Sequence, residues 1–118
     1  KQDFINIAKK FASDYNVVLV LKNSPTIITD GNSVFINSTG RENLATIGSG
    51  DVLSGIISSL VSQMKDVPLL NIASSGVYLH GYCGDKLFEM NGCSGTIAGD
   101  LIELIPSSKN EILKSYNI

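Results

Sequence analysis

Residues 37–57 read NSTGRENLATIGSGDVLSGII and decide the fold of the chain. The glycine-rich part, GSGDVLSG at 48–55, runs directly into the most regular helical pattern of the sequence. Apolar residues there recur at the spacing of an amphipathic helix, namely at Leu53, Ile56, Ile57, Leu60, Val61 and Met64. Glycine lets a ligand approach the main chain closely, and the free N–H groups of a first helical turn favour phosphate. The stretch therefore predicts an anion site at a helix start.

Asp51 is the one charged residue between Glu42 and Lys65, and it lies inside the glycine-rich segment. A carboxylate is not needed to bind phosphate and would repel it. Asp51 could instead be a general base that takes a proton from a hydroxyl attacking a bound phosphoryl group. The simpler alternative, a helix-capping acid, stays open at this point. Two other phosphate motifs are excluded, because Ile56 stands where a P-loop needs Lys and Leu53 where a dinucleotide fingerprint needs glycine.

The rest of the sequence predicts an α/β protein. Residues 3–15 have the spacing of an amphipathic helix, and VVLVL at 17–21 is typical of a strand buried on both faces of a parallel sheet. Residues 26–37 predict a hairpin around the turn signal Asp30-Gly31-Asn32. Helices are then predicted over 53–64, from Pro68 onwards with small residues that allow close helix packing, over 96–105 up to Pro106, and over 108–116.

This order of elements bears on how much of a fold the chain contains. One buried strand and a hairpin, followed by helices, cannot form a complete doubly wound sheet, because a buried parallel strand needs neighbours on both sides. We therefore expect residues 1–118 to be the C-terminal part of one larger domain, with its upstream half outside these residues.

Composition excludes several classes of protein. The 118 residues carry a formal net charge of −2, which gives no electrostatic footprint for nucleic acid. A hydrophobic share of 43% is too high for a disordered segment, and the longest apolar run is too short to cross a bilayer. With no signal-peptide pattern, a cytoplasmic protein is expected. Cys83 and Cys93 lack the partners that a disulfide scaffold or a zinc site would need.

The stretch 37–57 resembles the signature of the ribokinase-like superfamily, a Gly-x-Gly-Asp anion hole at a helix start. It looks most like the NAD(P)H-hydrate dehydratase family. Three further stretches carry the resemblance over nearly the whole chain: VLVLKNSPTIIT at 18–29, GVYLHGYCGD at 76–85 and AGDLIELIP at 98–106. The resemblance implies the C-terminal portion of a ribokinase-like three-layer α/β fold.

The resemblance also implies roles for particular residues. Asp51 would contact the substrate and act as the base on its hydroxyl, while Gly48, Ser49 and Gly50 would hold the transferred phosphate. The residues implied in nucleotide binding are Lys22, Asn23, Ser24, Pro25, Thr26, Asn37 and Gly50. The implied reaction is phosphorylation of the hydroxyl of hydrated NADH or NADPH by ADP or ATP, followed by loss of phosphate. Mg²⁺ is expected with the nucleotide, with no protein ligand evident. The family implies a homo-oligomer, whereas the charge and hydropathy of the sequence predict neither nucleic-acid nor membrane partners.

The sequence departs from the family pattern in a few places. Asn23 stands where the family usually has glycine after the lysine, and Arg41 and Glu42 make their loop more charged than usual. Ile47 replaces a residue that is commonly small. The family's upstream His-Pro-Gly-Glu-type loop has no counterpart in these residues, which agrees with the shortage of strands.

Several other residues are weaker candidates for a functional role. Lys22 directly follows the predicted strand, and open α/β sheets bind ligands at that end of a strand. His80, on the apolar stripe of its helix, is more often a core histidine than a catalytic one, and Asp85 and Asp100 fit helix capping or hydrogen bonding between helices. Two rival functions stay open: a small-molecule kinase of the same superfamily for a vitamin precursor or sugar alcohol, and a non-catalytic nucleotide-binding or oligomerisation fragment.

Overall fold

The structure, a computed structural model, describes residues 2–92 and 95–117, so the prediction of a partnerless Cys93 falls outside the described residues. The elements in chain order are α1 (Gln2–Tyr15), β1 (Leu19–Leu21), β2 (Ile27–Thr29), β3 (Val34–Ile36), a short 3₁₀ helix (Glu42–Leu44), α2 (Ser49–Gln63), α3 (Leu69–Asn91) and α4 (Ala98–Ser115). The first predicted helix and the predicted hairpin are thereby confirmed. Across the two described ranges, no helix combines the length and the apolar character needed to cross a membrane.

The three strands form an antiparallel sheet in the order β1-β2-β3. Val20 of β1 pairs with Ile28 of β2, which pairs on its other side with Phe35 of β3. The prediction of a buried parallel strand at 17–21 is wrong for the described residues: β1 covers Leu19–Leu21, is half-buried and pairs antiparallel with β2. The connection explains this, because the segment 22–26 is far shorter than the roughly dozen residues that a parallel crossover requires.

The sheet lies between two sets of helices. Ile28 faces α2 and α3 and belongs to an apolar cluster. The other buried members of this cluster are Leu53, Leu70, Ala73 and Val77. Because side chains alternate along a strand, the buried Ile27 and Thr29 point to the opposite face, against which α1 packs with its buried Ala8 and Ala12.

Helices α2, α3 and α4 pack on one another around a second apolar cluster. Its buried members are Ile56, Leu60, Ile72, Leu79, Cys83, Leu87 and Leu101. The predicted close approach of helices is confirmed at Gly76, where a Cβ atom would lie 2.7 Å from Cγ1 of Ile57. This contact fixes α2 against α3, and it therefore determines which side chains of α3 lie at the start of α2.

Helix α4 is longer than the sequence predicts. Pro106 was expected to end one helix before a second began at 108, but α4 runs without interruption through it. The buried Leu101 and Ser108 continue one packed face on both sides of the proline. The carbonyl that loses its N–H partner to the proline ring is that of Ile102, an exposed residue. Packing on α3 thus outweighs the local preference for a break.

Candidate anion-binding and catalytic site

The first turn of α2 presents main-chain N–H groups that have no partner in the part of the chain that the structure describes. Gly48 precedes the helix with φ of 88°, a left-handed conformation that glycine adopts without strain. The N–H groups of Ser49 and Val52 donate to main-chain carbonyls at 3.2 and 3.1 Å. Within the described residues, no hydrogen bond uses the N–H groups of Gly50 and Asp51, and no side chain caps the helix. Two free donors at the positive end of a helix dipole suit an anion.

The ammonium group of Lys22 reaches the same turn. Lys22 follows β1 directly, and a Cβ atom built on Gly50 would lie 2.9 Å from its Nζ atom. Glycine at position 50 therefore leaves the space that the lysine head occupies. The structure therefore brings Lys22, which is predicted to bind the nucleotide, next to Gly50, which is predicted to bind the transferred phosphate. Their combination offers an anion one full positive charge beside two N–H donors.

Asp51 lies in this first turn with its side chain exposed. It stands at the rim of a groove of about 470 Å³ between α2 and α4. The groove walls are largely apolar and include Ile56, Ile102 and Ile105. A carboxylate between an anion-binding turn and a groove is well placed to meet a substrate hydroxyl.

A comparison of two first-turn carboxylates bears on the capping alternative for Asp51. Asp100, in the first turn of α4, accepts a hydrogen bond from the N–H of Ile97 at 3.1 Å, which confirms its predicted capping role. Asp51 occupies the equivalent turn of α2, yet no described main-chain N–H donates to it. The hydrogen bonds therefore leave the Asp51 carboxylate available for a ligand, while its place in the first turn also suits the electrostatic role of an acid at a helix start.

His80 of α3 contacts the anion-binding turn directly. Its Nε2 atom lies 3.0 Å from Oγ and 3.1 Å from the carbonyl oxygen of Ser49, and both residues are buried. Burial lowers the pKa of His80, and the charge of Lys22 lowers it further, while the bond to the Ser49 main chain opposes them. The predicted burial of His80 is confirmed. Sequence reasoning missed its contact with Ser49, because nothing in the spacing of α3 shows which loop its buried stripe covers.

The loop that precedes α2 is held by α3 through polar contacts. The side-chain amide of Asn37 donates to the carbonyl of Thr39 at 2.9 Å, and the Thr39 hydroxyl donates to the carbonyl of Tyr78 at 2.9 Å. The N–H of Gly40 donates to both carboxylate oxygens of Asp85, at 3.1 and 3.2 Å. The prediction that Asp85 caps a helix or bonds between helices is therefore wrong: it anchors this loop.

The segment after Lys22 lies in different surroundings. Asn23, Ser24 and Pro25, joined by a cis Ser24–Pro25 peptide bond, line a recess with residues of α1, β2 and β3. The Thr26 hydroxyl donates to the carbonyl of Asn23 at 3.3 Å. The glycine-rich turn contributes no lining residue to this recess. Of the residues predicted to bind the nucleotide, Lys22 thus lies at the first turn of α2. Asn23, Ser24 and Pro25 lie beside α1.

A helix, a sheet and a helical layer, with a glycine-rich anion turn and a carboxylate at the start of α2, define a ribokinase-like protein. A ribokinase-like superfamily protein from Enterococcus faecalis superimposes with a TM-score of 0.70 and 27% identity, over 86% of this chain and 35% of that one. The predicted α/β ribokinase-like fold is confirmed. More narrowly, the chain belongs to the Carb_kinase family, NAD(P)H-hydrate dehydratase, whose model matches residues 1–107.

Two relatives show how the match is distributed. The chain is 42% identical over 108 residues to the bifunctional NAD(P)H-hydrate repair enzyme Nnr of Moorella thermoacetica, covering 90% of this chain and 20% of the relative. It is 30% identical to the ADP/ATP-dependent NAD(P)H-hydrate dehydratase of Bacillus subtilis, crystallised with ATP/Mg²⁺, with a TM-score of 0.76 over 89% of this chain and 38% of that one. The chain therefore spans between 20% and 38% of the length of these two relatives.

Proposed function

We propose that the protein carrying this chain dehydrates hydrated NADH and NADPH at the expense of ADP or ATP. The observation that carries the proposal is the make-up of the first turn of α2. The Asp51 carboxylate, which has no described hydrogen-bond partner, lies in the same turn as the free N–H groups of Gly50 and Asp51, and the Lys22 ammonium reaches this turn. Membership of the dehydratase family supports this choice over other reactions at a phosphate site. The names of the Moorella and Bacillus relatives point the same way.

Each residue of the turn has a task in this reaction. The N–H groups of Gly50 and Asp51 and the Lys22 ammonium would bind the phosphoryl oxygens and stabilise the charge that spreads over them during transfer. The Asp51 carboxylate would take the proton of the hydrate hydroxyl while the hydroxyl oxygen forms a bond to phosphorus. The bond between that phosphorus and the rest of the nucleotide breaks at the same time. The ring nitrogen lone pair then expels phosphate, which leaves with the electrons of the C–O bond, and loss of a proton from the neighbouring ring carbon restores the dihydronicotinamide.

The residues of this chain fit a magnesium ion held mainly by the nucleotide. Mg²⁺ usually binds through one or two carboxylates together with substrate phosphates. The described residues contain no cluster of three or more metal-ligating side chains, and Asp51 is the acidic residue of the first turn of α2. When bound, Mg²⁺ would neutralise charge on the nucleotide phosphates, and any protein ligand from this turn would be Asp51.

We further propose that Asn23, Ser24, Pro25, Thr26 and Asn37 flank the nucleotide, and that the protein is a cytoplasmic homo-oligomer. Lys22 supports the first proposal, because it directly precedes Asn23 and its ammonium group lies beside Gly50. The greater length of the relatives supports a further part of the domain beyond this chain. Exposed apolar side chains on α1 support an additional protein surface there: Phe4, Ile7, Phe11 and Tyr15.

The experiment that tests the function is Asp51→Asn in the full-length protein. Hydrated NADH is incubated with ADP or ATP, and the return of dihydronicotinamide absorbance is followed. We expect the wild type to restore the absorbance and Asp51→Asn to lower kcat by about 10²- to 10⁴-fold, with nucleotide affinity largely unchanged. Asp66→Asn, the same chemical change at an exposed loop residue, is the matched control and should leave kcat unchanged.

Two results would contradict the proposal in different ways. If neither nucleotide restores the absorbance while a vitamin precursor or sugar alcohol is phosphorylated, the protein is a small-molecule kinase. If dehydration proceeds equally well in Asp51→Asn, the reaction assignment stands but Asp51 is not the base.

A further inference from the structure

The contact between His80 and Ser49 favours one tautomer of the histidine ring. Nε2 of His80 is 3.1 Å from the Ser49 carbonyl oxygen and 3.0 Å from Ser49 Oγ. A carbonyl oxygen can only accept, so the contact with the Ser49 carbonyl favours the tautomer that carries its hydrogen on Nε2, whereas the Ser49 hydroxyl can pair with either tautomer. The lowered pKa of His80, caused first by burial, agrees with a neutral ring.

The donated hydrogen bond acts on the residue that begins α2. Ser49 is 2% exposed and stands between the left-handed Gly48 and the free N–H of Gly50. Gly48 and Gly50 have no side chains to restrain this turn, and no side chain caps the helix. Within the described residues, the restraint on Ser49 from outside its own loop and helix is the His80 ring.

We propose that His80 is a positioning residue of the phosphate site, which fixes Ser49 so that the N–H groups of Gly50 and Asp51 point in the directions that a phosphoryl group requires. The proposal rests on the function proposed above, because it assigns the phosphate to this turn. Donors that are already oriented before reaction stabilise transferring charge without reorganisation. A small misorientation of such donors is costly, since a misplacement of about 1 Å can lower a rate by about 10²-fold.

The test compares three substitutions in the full-length protein. His80→Leu fills the space but removes the donor, whereas His80→Gln keeps an N–H donor at nearly the reach of Nε2. Leu87→Ala removes an equally buried side chain of α3 that belongs to the apolar cluster and not to the site. We expect His80→Leu to lower kcat by up to about 10²-fold, His80→Gln to recover most of it, and Leu87→Ala to lower the melting temperature without lowering kcat of the folded enzyme.

A second readout does not depend on dehydratase activity. Calorimetry measures the affinity of each variant for ATP and for inorganic phosphate. The ¹⁵N chemical shifts of the His80 ring, assigned because their signals are lost in His80→Gln, report the tautomer. We expect an Nε2–H ring in the wild type and weaker ATP binding in His80→Leu than in His80→Gln. The variants can bind ATP in this order although the wild type does not dehydrate the hydrate. In that case the proposed function fails and the positioning role stands.

Three results would overturn the positioning role. They are an Nδ1–H tautomer in the folded protein, equal ATP affinity and kcat in His80→Leu and the wild type, and a His80→Gln variant as impaired as His80→Leu. The last result would mean that ring shape, and not the donated hydrogen bond, is what α2 requires.

Discussion

His80 makes the stability of the fold depend on pH in a definite direction. It is the one histidine of the chain, and burial followed by the charge of Lys22 lowers its pKa in the folded state. Above the ordinary histidine pKa of about 6.5, the ring is neutral in both folded and unfolded chains. As pH falls from there towards the lowered pKa, the unfolded chain takes up a proton that the folded chain does not, so stability falls; below the lowered pKa the loss levels off.

This pH effect can be measured by urea unfolding of the chain between pH 8 and pH 5.5, a range above most carboxylate titration. We expect the free energy of unfolding of the wild type to decrease towards the acidic end. His80→Gln has no ring to protonate and should give a flatter profile. Parallel profiles for the two proteins would show that His80 titrates alike in the folded and unfolded chains.

At the scale of single residues, the sequence predicted what depends on the chain's own local pattern. Gly50 and Asp51 lie in the first turn of α2, where the glycine-rich motif predicts them, and Lys22, which directly follows β1, lies against Gly50. The contacts of His80 and Asp85 were not predictable. Both depend on which face of α3 covers the loop before α2 and the start of α2, and that choice is made by tertiary packing between residues 45 and 31 positions apart.

At the scale of elements, the junction between α3 and the loop before α2 is the tightest contact of the site. A Cβ atom at Gly81 would lie 2.1 Å from Oγ1 and 2.7 Å from the main-chain carbon of Thr39. Gly81→Ala would therefore push the loop off the helix, and overpacking of this kind costs about 1–3 kcal/mol. We expect a lower free energy of unfolding, measured by urea denaturation, together with weaker ATP binding by the full-length protein.

Gly99→Ala is the matched control for this prediction. It is the same substitution within a helix, α4, but a Cβ atom there meets nothing within 4 Å. Alanine has the higher helix propensity, so this variant should gain up to about 1 kcal/mol. Equal stabilisation by both substitutions would mean that the loop can move away from α3 without loss.

Two elements also show where local patterns fail. The apolar run at 17–21 reads as a buried parallel strand, but the short connection to β2 imposes an antiparallel pair. Pro106 reads as a helix end, but the buried face of α4 continues from Leu101 to Ser108. In both cases a contact between elements outweighs a preference of the segment itself.

At the scale of the whole molecule, the two apolar clusters share helices and should unfold together. Ile56 and Leu60 of α2 belong to the cluster with α4, whereas Leu53 of the same helix packs against Ile28 of the sheet. Loss of α4 packing should therefore weaken the sheet, although the sheet lies on the far side of α2 and α3. The helical spacing of apolar residues predicts which side chains of each helix are buried. It does not predict that residues of α2 belong to both clusters, which the structure shows.

Leu101→Ala tests this coupling, since Leu101 of α4 is fully buried while the adjacent Ile102 is 57% exposed. Emptying a buried leucine site costs about 2–5 kcal/mol, whereas Ile102→Ala should change stability by about 0.5 kcal/mol or less. Because unfolding is cooperative, amide hydrogen exchange at Ile28 in the sheet should accelerate in Leu101→Ala and stay near the wild-type rate in Ile102→Ala. Faster exchange confined to α4 would instead show that the last helix unfolds as a separate unit, and the sheet with α2 and α3 would then be the stable part on which the phosphate site is built.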